Sequence, residues 1–149
     1  MANVLDVAQY LLEMHGPMTT MKLQKLVYYC QAWSLVWDEK PIFNENIEAW
    51  ASGPVVRRLY KIHKGQYLIS KIAEGNSANL IPSEKETVEV ILGAYGDKDA
   101  HWLSDLTHME KPWLNARKGA EPGENCDNVI TKAALLEYYS SLSPDGEPI

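Results

Sequence analysis

Only two cysteines occur in the 149 residues; basic residues do not outnumber acidic ones, and internal repeats and long apolar runs are absent. Each shortage excludes something. Two cysteines cannot build a disulfide framework, so stability must come from a hydrophobic core, which a single domain of this length can bury. Cys30 lies in an apolar helical stretch, where a reduced thiol packs as a small hydrophobe, and Cys126 lies in a polar, loop-like stretch. The pair fits a reducing compartment. With 14 Lys and Arg against 20 Asp and Glu, the net charge is -6 and the pI is near 5.2. That balance lacks the cationic excess needed to coat nucleic acid or anionic lipid, and it favours protein partners. No apolar run approaches the ~20 residues of a membrane-spanning helix. The opening MANVLDVAQYLLEMHG carries Asp6 and Glu13 instead of a basic start, so the expectation is a cytoplasmic protein without a secretory leader or membrane contact. Glycine-rich phosphate loops and zinc-type Cys/His spacing are also missing, so neither a cofactor nor a metal is expected.

What the chain does have is one dominant stretch, TTMKLQKLVYYCQAWSLVW at 19–37. Leu23, Leu26, Val27, Cys30, Trp33 and Trp37 recur at helical spacing, while Tyr28, Tyr29, Leu35 and Val36 make most of the remaining surface apolar. A helix apolar nearly all round is buried. Lys22, Gln24, Lys25, Gln31 and Ser34 are expected to form its narrow solvent strip, with Thr19 or Thr20 as the cap and Pro41 beyond its end. Trp33 is read as core and Trp37 as rim.

Around this helix the pattern predicts a mainly α chain with a small β-hairpin, an α+β domain of about six helices. The first runs from Asn3 to about Met14 and stops at Gly16 and Pro17. Ile42–Phe43 and 47–50 read as two short strands joined by an Asn-Glu-Asn turn. Gly53 and Pro54 read as a strand-to-helix corner, with Pro54 as first residue of a helix ending at Gly65. That helix carries Arg57, Arg58, Lys61 and Lys64 as a basic edge on an acidic chain. Ser83-Glu84-Lys85-Glu86 reads as a capping box opening a helix to Gly96. Trp102, Leu103, Leu106 and Met109 mark another, ended by Glu110-Lys111-Pro112-Trp113. The last helix is expected over 131–142, followed by a loose tail.

Two readings of function follow from the residues. A helix, a short turn and a second helix at the start resemble a helix-turn-helix DNA-binding regulator. Against it, the second helix offers only Lys22, Gln24 and Lys25 before turning apolar, and nucleic acid is disfavoured. The other reading is protein binding through aromatic and arginine anchors, for which Trp37, Trp50, Arg57, Arg58, Tyr60 and Trp113 are the candidates. His108 and Glu110 belong to the densest cluster of chemically capable side chains, but no nucleophile with a signature accompanies them. With Gly53 and Pro54 they are read as structural, and no catalytic role is expected.

KLQKLVYYCQAW at 22–33, the AW-x-x-GPV arrangement at 49–55 and LTHMEKPW at 106–113 occur in an order and spacing that resembles the Panacea domain, the family of SocA-like antitoxins and phage-associated GepA-like proteins. The resemblance implies a Panacea-like antitoxin domain over 1–142 and a flexible tail over 143–149. It implies an antitoxin of a toxin–antitoxin system, neutralising a cognate toxin by direct binding or by acting as an adaptor that hands it to a Clp-type protease.

Overall fold

Helix α2 (Thr20–Asp38) forms where its apolar stripe predicts, with the Thr19 hydroxyl accepting the Lys22 N–H at 3.1 Å as its cap. The computed structural model describes residues 2–142, so the expected tail at 143–149 lies outside the described residues. α2 has no exposed residue along its length, because α1 (Val4–His15), α4 (Pro82–Tyr95), α5 (Ala100–Met109) and α7 (Lys132–Leu142) all pack against it. Trp33, Tyr28, Tyr29, Leu23 and Leu26 are wholly buried there. Each fully buried side chain of this size contributes roughly 1.5–3 kcal/mol through loss of apolar surface to water. The chain is therefore organised around α2.

The polar strip assigned to solvent on α2 is a correction: Gln24, Lys25, Gln31 and Ser34 are all buried, and Lys22 is partly so. Gln24, Gln31 and Ser34 face inward because each completes the hydrogen bonds of irregular backbone laid along the helix. The Gln24 carboxamide accepts the Val56 N–H at 2.9 Å and donates to the Val56 carbonyl at 3.3 Å. Gln31, seven residues on and so on the same face, accepts the Ile42 N–H and donates to the Phe43 carbonyl, both at 2.8 Å. Ser34 donates to the Lys40 carbonyl at 2.9 Å. Two glutamines thus act as substitute peptide groups, which satisfies buried main chain without a sheet.

The same bonds explain why Ile42 and Phe43 do not form a strand. The hairpin instead joins β2 (Ile47–Trp50) to β3 (Gly53–Val55), antiparallel, with Glu48 opposite Val55 and Trp50 opposite Gly53. Gly53 and Pro54 are strand residues, and α3 (Arg57–His63) starts three residues later than the proline pattern suggests. β5 (Val129–Ile130) pairs with the other edge of β2, giving the order β3-β2-β5. A second, two-stranded sheet pairs β1 (Met18–Thr19) with β4 (Leu68–Ile69).

Two further boundaries differ from expectation. α4 opens at Pro82, with the Glu84 carboxylate accepting the Ile81 N–H at 2.9 Å, so Ser83 is not its cap. Pro112 does not end α5 but lies in the first turn of a short helix α6 (Lys111–Ala116), where a missing N–H is harmless. The described residues therefore hold seven helices. None is long and apolar enough to cross a membrane. The fold is mainly α with small antiparallel sheets, an α+β domain.

Candidate functional site: the hairpin face

The β2–β3 hairpin and the start of α3 bring three of the proposed anchors together. Trp50 ends β2, and the first turn of α3 places Arg57 Cζ 5.3 Å from the centre of its ring. Tyr60, one turn further, meets the same indole edge-on at 4.9 Å. Glu48 ties the group down: it accepts the Trp50 indole N–H at 2.9 Å and two Arg57 bonds at 3.1 and 2.7 Å. The Arg57 hydrogen bond, with its charge, holds the Glu48 carboxyl below the usual carboxylate range. Arg58 pairs with Glu45. Both arginines of the expected basic edge are thus neutralised within the chain, and only Lys61 and Lys64 extend from it.

The remaining anchors lie elsewhere. Trp37 is partly buried and stacks on Trp33 at 5.4 Å, near the end of α2. Trp113 is buried, and its indole N–H donates to the Trp50 carbonyl at 2.8 Å. It is a support under the hairpin, turned inward by α6.

Beneath β3 lies a buried polar group that the periodicity of α2 conceals. The Lys25 ammonium reaches the Pro54 carbonyl at 3.3 Å, and burial pushes its pKa down to about 7. Gly53 sits directly over it at φ 117°, where an added Cβ would lie 2.6 Å from Lys25 Cε. The glycine is required twice, for its backbone angle and for this approach. His63, also buried, contacts Gln24 at 2.9 Å. Because the Gln24 nitrogen can only donate, His63 Nε2 is an acceptor and the ring neutral, in line with a pKa lowered chiefly by burial.

His108 stacks face to face on Trp113, 4.1 Å between centroids, and its pKa is lowered by burial first and by the nearby Lys25 charge second. The Glu110 carboxylate, at the α5–α6 joint, accepts hydroxyls from Tyr29 at 2.7 Å and Tyr139 at 2.8 Å. Burial raises its pKa despite those bonds. Tyr139 also meets the Tyr28 hydroxyl at 3.0 Å, and Tyr95 stacks on Tyr29 at 4.6 Å. These side chains join α2, α4, α5 and α7 to one another, and Glu110 and its tyrosines are buried, while His108 is half-buried. Cys30 is also buried, which raises its thiol pKa. Among the described residues no group of three or more His, Cys, Asp or Glu is placed to hold a metal ion.

The polar loop 119–128 faces the hairpin across a groove of about 580 Å³, a placement that sequence reasoning did not foresee. Trp50, Ala51, Ser52 and Arg57 line one side, and Asn125, Cys126 and Asp127 the other. The loop reads only as polar. Its position comes from Arg117, four per cent exposed, which donates to the carbonyls of Ala49, Glu121 and Glu124 at 2.9, 3.1 and 2.6 Å. Nothing local in the sequence signals those partners.

Comparison with known proteins adds to this geometry. The protein described as Antitoxin SocA from Caulobacter vibrioides (strain NA1000 / CB15N) is 29% identical over 150 aligned positions, covering 87% of this chain and 79% of its own length. No solved structure matches significantly. The family described as antitoxin SocA-like, Panacea domain, matches residues 23–114. That span runs from the first turn of α2 through the hairpin to Trp113 and its helix, holding the α2 seam, the Gly53–Pro54 strand and the Glu110 joint. On that match, the chain belongs to the SocA-like antitoxin, Panacea domain family.

Proposed function

We infer that this protein neutralises a partner toxin by binding it directly, through the hairpin face that gathers Trp50, Arg57 and Tyr60. The observation that carries this reading is the placement of that face within the matched family span, with an aromatic pair and an arginine held ready by Glu48. Aromatic and arginine anchors fixed before association lose little freedom on binding, which is where binding energy concentrates. A non-catalytic role is favoured, because Lys25, Glu110, Cys30 and His63 are enclosed and serve the packing of the fold. The DNA-binding alternative loses its structural support, since a recognition helix needs an exposed face and α2 has none.

The test is co-expression with each protein encoded directly beside this chain, scoring growth and then co-purification. Rescue with a stable complex is expected, and Trp50→Ala with Tyr60→Ala should abolish rescue while leaving the thermal midpoint within a few degrees. Rescue accompanied by disappearance of the toxin would replace direct blocking by delivery to a Clp-type protease. If no neighbour is toxic and none binds, the antitoxin reading fails, and retention on duplex DNA at low salt becomes the deciding measurement.

A further inference from the structure

We propose that the groove between the hairpin turn and the loop 119–128 seats a basic segment of the partner, with an arginine or lysine side chain set between Asp127 and Trp50. This assignment rests on the direct-binding reading and names the chemistry that its surface selects.

One wall of the groove is built before a partner arrives. Besides the three Arg117 bonds, the Asn128 side chain donates to the Ala116 carbonyl at 3.0 Å and the Asn128 carbonyl accepts the Ala49 N–H at 2.8 Å. The loop therefore leaves α6 and rejoins β2 through fixed backbone contacts, so little chain entropy remains to be lost on docking.

Charge then selects the occupant. The residues 119–128 include Glu121, Glu124 and Asp127, all exposed, and no Lys or Arg. The cation lining the groove, Arg57, is already matched by two hydrogen bonds to Glu48. Arg57 also feels the Asp127 charge, so Glu48, Arg57 and Asp127 together leave one net negative charge at the groove, with Glu121 and Glu124 outside it. An anionic segment would meet repulsion from three carboxylates, and an apolar one would strip water from Asp127 and Asn125 without replacing its hydrogen bonds. A guanidinium or ammonium satisfies the Asp127 carboxylate by a charge-assisted bond and the indole by its ring quadrupole. Arg57 already shows that the Trp50 ring takes a cation in this setting. A volume of about 580 Å³ suits one or two long side chains of an extended segment.

The experiment is a titration of the isotopically labelled full chain, at low ionic strength, with the capped peptide Gly-Ser-Arg-Gly-Arg-Ser-Gly and with its glutamate counterpart, followed by nuclear magnetic resonance. The arginine peptide should move the Trp50 indole N–H and the Asn125 and Asp127 amides, and the glutamate peptide should not. Asp127→Asn with Glu124→Gln should weaken that binding roughly fivefold or more. Absence of these shifts, equal shifts with the glutamate peptide, or affinity unchanged in the double variant overturns the assignment. No toxin enters the titration, so a negative result alongside intact growth rescue removes the groove assignment alone. A positive titration without growth rescue sinks the antitoxin reading instead.

Discussion

Lys25 is the residue whose environment departs furthest from its chemistry: a lysine enclosed on all sides, with a single carbonyl within reach. Its pKa falls to about 7 in the folded chain from an ordinary value of 10.5, so between those limits the unfolded chain binds a proton that the folded chain releases. Stability therefore rises with pH across that window and is least at its lower end. From pH 7 to pH 9 this group should add on the order of 2 kcal/mol, at about 1.4 kcal/mol per unit. Lys25→Met keeps the length of the side chain and removes the proton. Urea titrations at both pH values should show that variant more stable than the parent at pH 7, with the advantage shrinking at pH 9. A constant difference would mean that Lys25 is solvated in the folded protein. His63 and His108, whose pKa values are lowered, act below pH 6.5 and leave this comparison undisturbed.

The element most exposed to this arrangement is the β2–β3 hairpin, because β3 lies on Lys25 with no side chain between them. Gly53→Ala would force a non-glycine residue into φ 117° and set its Cβ against Lys25 Cε, for a loss of roughly 2 kcal/mol. Combining it with Lys25→Ala should cost less than the sum of the two single changes, since the second relieves the contact made by the first. Simple additivity in chemical denaturation would show that the glycine is needed only for its backbone angle. The hairpin also displays what was legible locally. The turn-prone and strand-prone residues of 42–55 announce a hairpin, but its register was shifted. Ile42 and Phe43 have strand-like side chains, yet their backbone is claimed by Gln31, twelve and fewer residues earlier. Periodicity counts side chains and does not see which backbone groups a distant carboxamide will satisfy.

At the scale of the whole molecule, Glu110 joins the layers. Its carboxylate takes hydroxyls from α2 and α7, so it couples the central helix to the last one as well as ending α5. Glu110→Ala should destabilise the domain by about 3 kcal/mol, because two buried hydroxyls lose their acceptor and a void replaces the side chain. Unfolding should remain a single transition at a lower midpoint when followed by circular dichroism and by tryptophan fluorescence. Separate transitions by the two probes would show that α7 is not coupled to the core through this residue.

By itself the sequence determined the class of the fold, the buried central helix, six of the helices and, through three separated motifs, the family. Those follow from local signals: apolar spacing, caps, prolines and the order of residues along the chain. Tertiary structure decided which polar residues turn inward, as with Gln24, Lys25 and Gln31, and which of the candidate anchors share a face, as Trp50, Arg57 and Tyr60 do. It also decided the loop 119–128, whose position depends on Arg117 reaching Ala49, 68 residues away. The physical reason is common to all three. A neutral polar side chain gains or loses little between water and a buried hydrogen bond of equal quality, so its direction is set by whichever backbone the fold brings to it, whereas Lys25 is held inside at a cost that its lowered pKa records.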